Sequence, residues 1–472
     1  MCFVGVDFVQ WVVVILHREV VWNVCHPCTE KLLREVDTCA ILFTILKGYP
    51  HLADKGIEMN ALERFLSYAV VHTASDRHNH EVTPSTECQH ILAKQIEEEM
   101  KAIGLQNVVR TEHAYVYGFL PATPGYEDRK CIGFNAHLDI VADLGIGEVK
   151  PQVIENYDGH GIQLGESGRV LLSEHFPHLN KCIGKTIVTT DGTTVLGADD
   201  KAGVAAIMTM AETVVKENLP HGRIAICFSP DEEIGHGAAL LDLELFGADY
   251  GFTVDGSGPE DIEAETFNAA CATSHFNGVS VHPGNAKDTM VNAALLAMEF
   301  DDMLPVRQRP CDTEGHQGFW HLCNMQGDVT QADMYYIIRD HDAGKFAWRQ
   351  KVMQEIANYL NLKYGEGTVE LKIEQEYRNM FEVVSAYPEL LVVAERAIRS
   401  VGLEPAYVPV RGGTDGAQLS FRGLPCPNLG AGGYGFHGPY EHLVVEELEQ
   451  SVAILLDIVR QFAEGNLAVE EV

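Results

Sequence analysis

Positive charge is what this 472-residue chain has least of: 34 Lys and Arg stand against 68 Asp and Glu, a formal charge of −34. Nucleic acid and anionic membrane carry the same sign, so neither is an expected partner. Long apolar runs are missing too. The opening MCFVGVDFVQWVVVILHREVVW is interrupted by Asp7, Gln10 and His17 and falls short of the ~18 apolar residues a membrane span needs. It is also unlike a secretory leader, since no Lys or Arg precedes Arg18 and no small-residue cleavage pattern follows. The 12 cysteines lack regular spacing, which excludes a disulfide framework and points to a reducing, cytoplasmic location. The one CxxC, Cys25 and Cys28, has no second pair with which to complete a four-cysteine zinc site.

What is present is the composition of a soluble globular protein, 46% hydrophobic and 22% charged, long enough for about two or three domains. Residues 1–58 read as an N-terminal extension foreign to the rest. From Met59 the character changes, and MNALERFLSYAVVHTASD sets Leu62, Phe65, Leu66 and Val70 near helical spacing.

From residue 131 strands and helices alternate. KCIGFNAHLD reads as a strand ending at His137 and Asp139, and DKAGVAAIMTMAETVVK carries Val204, Ile207, Met208, Ala211 and Val215 on one helical face. RIAICFS is a short buried strand, HGAALLDLELFG a helix, and YGFTVD a strand ending at Asp255. This order predicts an α/β fold with a mostly parallel central sheet, whose ligands bind beyond the carboxyl ends of the strands. His137, Asp139, Asp199, Glu232, Glu233 and Asp255 all fall at those ends or in the turns that follow, and His437 follows a late glycine-rich turn. GAGGYG at 430–435 matches G-x-G-x-x-G only formally, because it leads into His437 and Pro439 rather than a helix.

Taken singly, Asp199 and Asp200 are ordinary helix caps, and Glu232 is an ordinary first-turn charge. Several acids and two histidines converging on one sheet edge would repel one another without a cation. Imidazole and carboxylate donors suit zinc, with manganese or cobalt as substitutes. The adjacent glutamates can then divide two duties, one facing metal and one taking the proton of an activated water.

The phrases LGADDKAG, PDEEIGHGA, FTVDG, ETFNAA, VHPGNAK, YYIIRDHD and RGGTDGAQLSFRGLPCPNLG carry a resemblance that runs from about Met59 to about residue 460. The chain resembles the peptidase T family, the tripeptide aminopeptidases among the dinuclear zinc exopeptidases, a group that also contains glutamate carboxypeptidases and aminoacylases. The resemblance implies that His137, Asp199 and Asp255 hold one zinc, that Asp199 bridges to a second held by Glu233 and His437, and that Glu232 is the general acid/base. It further implies that Asp139 orients His137 and that the Asp199–Asp200 peptide is cis. Aspartate at 255 resembles the aminopeptidase-type members, where carboxypeptidases usually have glutamate.

The same resemblance divides the chain into a catalytic domain, residues 59–262 and 377–472, and an inserted smaller α/β lid at 263–376 that mediates a homodimer. His282 and Arg339 in the lid, and Arg411 in RGGTDG, become candidates for binding the substrate's carboxylate or the reaction oxyanion. The plain alternative for Arg339 is a salt bridge with Asp340 or Asp342. The expected activity is release of the N-terminal residue from tripeptides. Alternatives are a carboxypeptidase or N-acyl amino acid deacylase of the same clan, and a catalytically idle binding protein on this scaffold.

Overall fold

The computed structural model describes residues 59–468, apart from 143, 145 and 146. The expectations for residues 1–58, Cys25 and Cys28 lie outside the described residues.

The first described helix, Ala61–Ala69, starts where Asn60 accepts the backbone N–H of Glu63 and the Glu63 carboxylate accepts that of Asn60, a reciprocal cap. The central sheet has eight strands in the order Gln106–Arg110, Val116–Leu120, Ile224–Ser229, Ile132–His137, Tyr250–Gly256, Asn428–Gly430, Asp261–Glu263, Ala406–Tyr407. Its middle is parallel: Ile132–His137 runs beside both Ile224–Ser229 and Tyr250–Gly256, and Asn428–Gly430 continues the parallel set. Every residue of Ile132–His137 and Ile224–Ser229 is buried, as strands covered on both faces require.

The helix Ala198–Lys216 packs against Ile132–His137 and Tyr250–Gly256, and its Val204, Ile207, Met208 and Ala211 are buried. Val215, expected on that face, is 38% exposed, and Val214 turns inward in its place. The helix lies so close to its neighbour strand that a Cβ on Gly203 would stand 1.8 Å from the Val254 carbonyl oxygen. The helix expected over HGAALLDLELFG shrinks to Leu243–Phe246. Its backbone is diverted by tyrosines: the Tyr115 hydroxyl donates to the Gly237 carbonyl, and the Leu240 and Asp242 amides donate to Tyr115 and Tyr117.

A second, four-stranded antiparallel sheet is ordered Phe319–Gly327, Gln331–Asp340, Asn268–Asn277, Val369–Tyr377. One face packs Ala270, Ala272, Phe276, Trp320 and Tyr336 into a core with the helices Ala293–Asp302 and Ala343–Tyr364. By strand alternation, Cys271, Tyr335, Ile337 and Arg339 stand on the other face. A smaller sheet pairs His442–Val444 with Gly433–Tyr434 and Ile187–Thr189, so the turn bearing His437 is anchored on both sides.

Candidate active site

Each predicted ligand stands where a strand or turn ends. His137 is the last residue of its strand, in register with Ser229 of the parallel neighbour. Asp255 is the penultimate residue of the strand on the other side. Asp199 opens the helix Ala198–Lys216, across a cis Asp199–Asp200 peptide. Glu232 and Glu233 form a single 3-10 turn after the Ser229 strand.

The structure brings these groups together. His137 Nε2 is 2.8 Å from Asp199 Oδ1 and 3.4 Å from Asp255 Oδ1. His437 Nε2 is 3.1 Å from Asp199 Oδ2 and 3.0 Å from Glu233 Oε2. The two oxygens of Asp199 are thus divided between two histidines, which makes it the bridge of the cluster. Donor atoms of His137, Asp199 and Glu233 lie within 4.8 Å of one another, as do those of His137, Asp200 and Asp255. Asp200, however, is committed elsewhere: one oxygen accepts the His137 amide and the other the Gly203 amide, so it is the helix cap of the pair.

Asp139 is completely buried and ties the two halves of the site. Its oxygens accept the backbone amides of Glu232 and Glu233 at 3.0 and 3.2 Å, and Oδ1 lies 3.4 Å from His137 Nδ1. His137 Nδ1 is also 3.1 Å from the Asp139 carbonyl, an acceptor for a proton on Nδ1 that leaves Nε2 to face the carboxylates.

Electrostatics point the same way. Burial raises the Glu233 carboxyl to about 8, with the Asp199 charge adding to it, and burial likewise raises Asp255 to about 7. Burial lifts Glu232 well above the carboxylate range, reinforced by Asp255, Asp415 and Glu233. The hydrogen bonds to Asp199 and Glu233 push the His437 imidazole up to about 11. These acids cannot all ionise beside one another unless positive charge stands among them. Glu233 Oε1 is buried without a partner. The imidazole and carboxylate donors, the bridging Asp199 and that orphaned oxygen fit divalent metal ions.

The first acid of the triplet has a different task. Asp231 is fully buried and accepts the Ser85 amide, the Ser85 hydroxyl and the Gln89 side chain at 2.6 Å each; its φ of +57° makes the turn that presents Glu232. Sequence reasoning also missed Glu441, whose buried carboxylate accepts the amides of Leu196, Gly197 and Asp199 and shapes the loop under the bridging residue. Its place four residues after His437 was the available signal. Asp415 was missed as well; it is buried and accepts the Ser229 hydroxyl at 2.6 Å beneath His137.

Of the substrate-binding candidates, Arg339 makes its ion pair with Glu376 at 2.9 Å, not with Asp340 or Asp342. Asp340 is taken by Arg349, and Asp342 caps the helix that follows. Arg411 donates to the carbonyls of Gly315 and Gln317 and to the Thr313 hydroxyl, so it fastens the loop 313–317. His282 caps the 3-10 turn Pro283–Asn285, where its ring accepts the Gly284 amide; it does not join the carboxylate cluster. A cavity of about 290 Å³ opens beside Glu233 and His437, lined also by Ser75, His80, Val141 and Ile234. A larger one of about 480 Å³ near His316 and His341 contains none of the clustered carboxylates, so donor chemistry rather than size locates the site.

Residues 196–461 match the profile of peptidase family M20/M25/M40. Peptidase T of Caldanaerobacter subterraneus subsp. tengcongensis is 47% identical over 405 residues, 85% of this chain and 98% of that protein. The aminopeptidase PepT of Bacillus cereus superposes with a TM-score of 0.66 at 22% identity, covering 86% of this chain and 98% of that one. A tripeptidase of Staphylococcus aureus gives 0.67 at 22% identity over the same shares. With its profile match and its near full-length identity to peptidase T, the chain belongs to peptidase family M20/M25/M40.

Proposed function

We propose that this protein is a metal-dependent aminopeptidase that releases the N-terminal residue from tripeptides. The observation that carries the proposal is the division of the Asp199 carboxylate between His137 and His437, with Asp255 and Glu233 on either side. In this reading His137, Asp199 and Asp255 would hold one zinc ion, and Asp199, Glu233 and His437 would hold a second, with manganese or cobalt as substitutes. Such ions supply Lewis acidity toward the scissile carbonyl and lower the pKa of water.

The chain's own groups do the rest. Glu232 is the neighbouring carboxylate left free of ligation; it takes the proton of the attacking water and returns it to the leaving amine. Asp139 fixes both the Glu232 backbone and the His137 ring. The cavity beside Glu233 and His437 receives the N-terminal residue, and Arg339 binds the C-terminal carboxylate through its planar fork. His282 contributes to that end from the second subunit of a lid-mediated homodimer. Among the described residues no helix is long and apolar enough to cross a membrane, and small peptides in the cytoplasm are the substrates this reading names.

Metal-reconstituted protein tests it, assayed on a free tripeptide and on the N-acetylated form. Cleavage of the free peptide alone is expected. Preference for the acetylated form would make the protein a deacylase, and release of the C-terminal residue would make it a carboxypeptidase.

A further inference from the structure

Arg339 is held in an unusual way for a residue that is to receive a substrate. Its Nη1 donates to the carbonyls of Ala270 and Ile338 at 3.0 and 3.1 Å, which fixes the plane of the guanidinium. Its Nη2 is paired with Glu376. The Arg339 side chain is 12% exposed and that of Glu376 33%, so the carboxylate is the partner nearer to water.

The backbone around Glu376 explains how it reaches there. Along Val369–Tyr377 the register slips by one residue: Gln375 pairs with Ala270 and Tyr377 with Ala269, leaving Glu376 as an extra residue. A bulge of this kind re-aims side chains. It resets the alternation so that Tyr377 joins Arg339 on the outer face, where the guanidinium lies 5.4 Å from the Tyr377 ring centre. The Tyr377 ring packs against Gly413, where a Cβ would stand 3.1 Å away. Two residues on, Asp415 bonds Ser229, the residue in register with His137. Contacts therefore run from Arg339 through Tyr377 and Gly413 to Asp415 and Ser229 at the strand ends of the carboxylate cluster, and the Glu376 carboxylate occupies Nη2 of that arginine.

We infer that Glu376 is an internal stand-in for the substrate's C-terminal carboxylate: substrate binds to Arg339 by displacing Glu376, and Glu376 returns to displace the product. The inference rests on the proposed role of Arg339. Removal of the first residue of a tripeptide leaves a dipeptide that still carries the carboxylate bound at Arg339, so a competing carboxylate on the protein speeds its exit. Exchanging one carboxylate for another keeps the arginine paired in both states, and a peptide amide, lacking charge, cannot drive the exchange.

The test compares the metal-loaded wild type, Glu376→Gln and Arg339→Ala on a tripeptide and its C-terminal amide, with calorimetric binding of the product dipeptide as a second readout. In Glu376→Gln the tripeptide KM and the dipeptide dissociation constant should both fall by about two- to fivefold, as expected for a partly exposed ion pair, while the KM of the amide stays put. In Arg339→Ala the difference between free acid and amide should collapse. If it does and Glu376→Gln leaves both constants at wild-type values or raises them, Glu376 only orients the arginine and the displacement inference is overturned. If Arg339→Ala leaves the difference intact, the role of Arg339 itself fails.

Discussion

Asp139→Asn is the most demanding perturbation of this site, because the substitution is nearly isosteric and changes three contacts at once. The carboxylate accepts the Glu232 and Glu233 amides and faces the His137 ring nitrogen. An asparagine keeps one acceptor oxygen and places an NH₂ where the other stood, so one backbone N–H in this buried spot meets a donor. An unsatisfied buried polar group costs about 1–3 kcal/mol. The His137 ring keeps the Asp139 carbonyl 3.1 Å from its Nδ1 but loses the negative charge 3.4 Å away, and loss of such a supporting partner typically lowers metal affinity by about 10–100-fold, equivalent to about 1.4–2.8 kcal/mol. The two estimates coincide in size although they come from different effects. Calorimetric zinc titration of chelator-stripped wild type and variant measures the affinity directly, and activity at saturating metal separates occupancy from positioning of Glu232. An unchanged zinc affinity would refute the argument that the Asp139 carboxylate supports His137 as a ligand.

Other perturbations separate the remaining roles. Glu232→Gln should retain both metals by elemental analysis yet lose about 10²–10⁴-fold in kcat, the usual contribution of a general acid/base; near-normal turnover would place the base elsewhere. Asp231→Asn should lower the melting temperature without altering zinc affinity, since its partners are Ser85 and Gln89 and not the cluster. The chelated protein should lose stability as pH rises from about 4 to about 8, because the folded-state carboxyls of Glu233 and Asp255 are raised to about 8 and about 7 and hold protons that the unfolded chain has already released. His437, raised to about 11, adds to the same downward trend at higher pH. Restoring zinc should flatten the slope in thermal scans, and a metal-free protein whose stability climbs over that range would contradict the clustered-acid picture.

The parallel core was readable from the chain because its signals are periodic and local. Val204, Ile207, Met208 and Ala211 follow helical spacing and are buried, and IAICFS is apolar throughout and buried throughout. Once the strands were placed, the rule that ligands gather at their carboxyl ends put His137, Asp255 and the acidic turn on one edge. The failed helix at HGAALLDLELFG shows where locality ends. Its composition favours a helix, but the backbone there must approach Asp415 so closely that a Cβ on Gly237 would lie 2.3 Å from the carboxylate, and its amides are drawn to Tyr115 and Tyr117. Partners more than a hundred positions away decide the conformation, and no window of sequence contains them.

The same distinction separates the acids that sequence reasoning assigned from those it left unassigned. Asp231, Glu232 and Glu233 are adjacent, chemically alike and differ in function only through what the fold sets against each. Asp231 meets the Ser85 amide and hydroxyl and becomes an anchor. Glu233 meets His437 and keeps one oxygen without a partner. Glu232 is fastened through its backbone by Asp139, which leaves its side chain for the role proposed for it. Glu441 and Glu376 carry no motif because their partners are a run of amides in one case and a single arginine in the other, both brought near by chain pairing rather than by spacing. The bulge at Glu376 is legible only as a register slip between two paired strands. What the fold sets against each acid, rather than its neighbours in sequence, therefore separates Asp231 from Glu233, and Glu441 from Glu376.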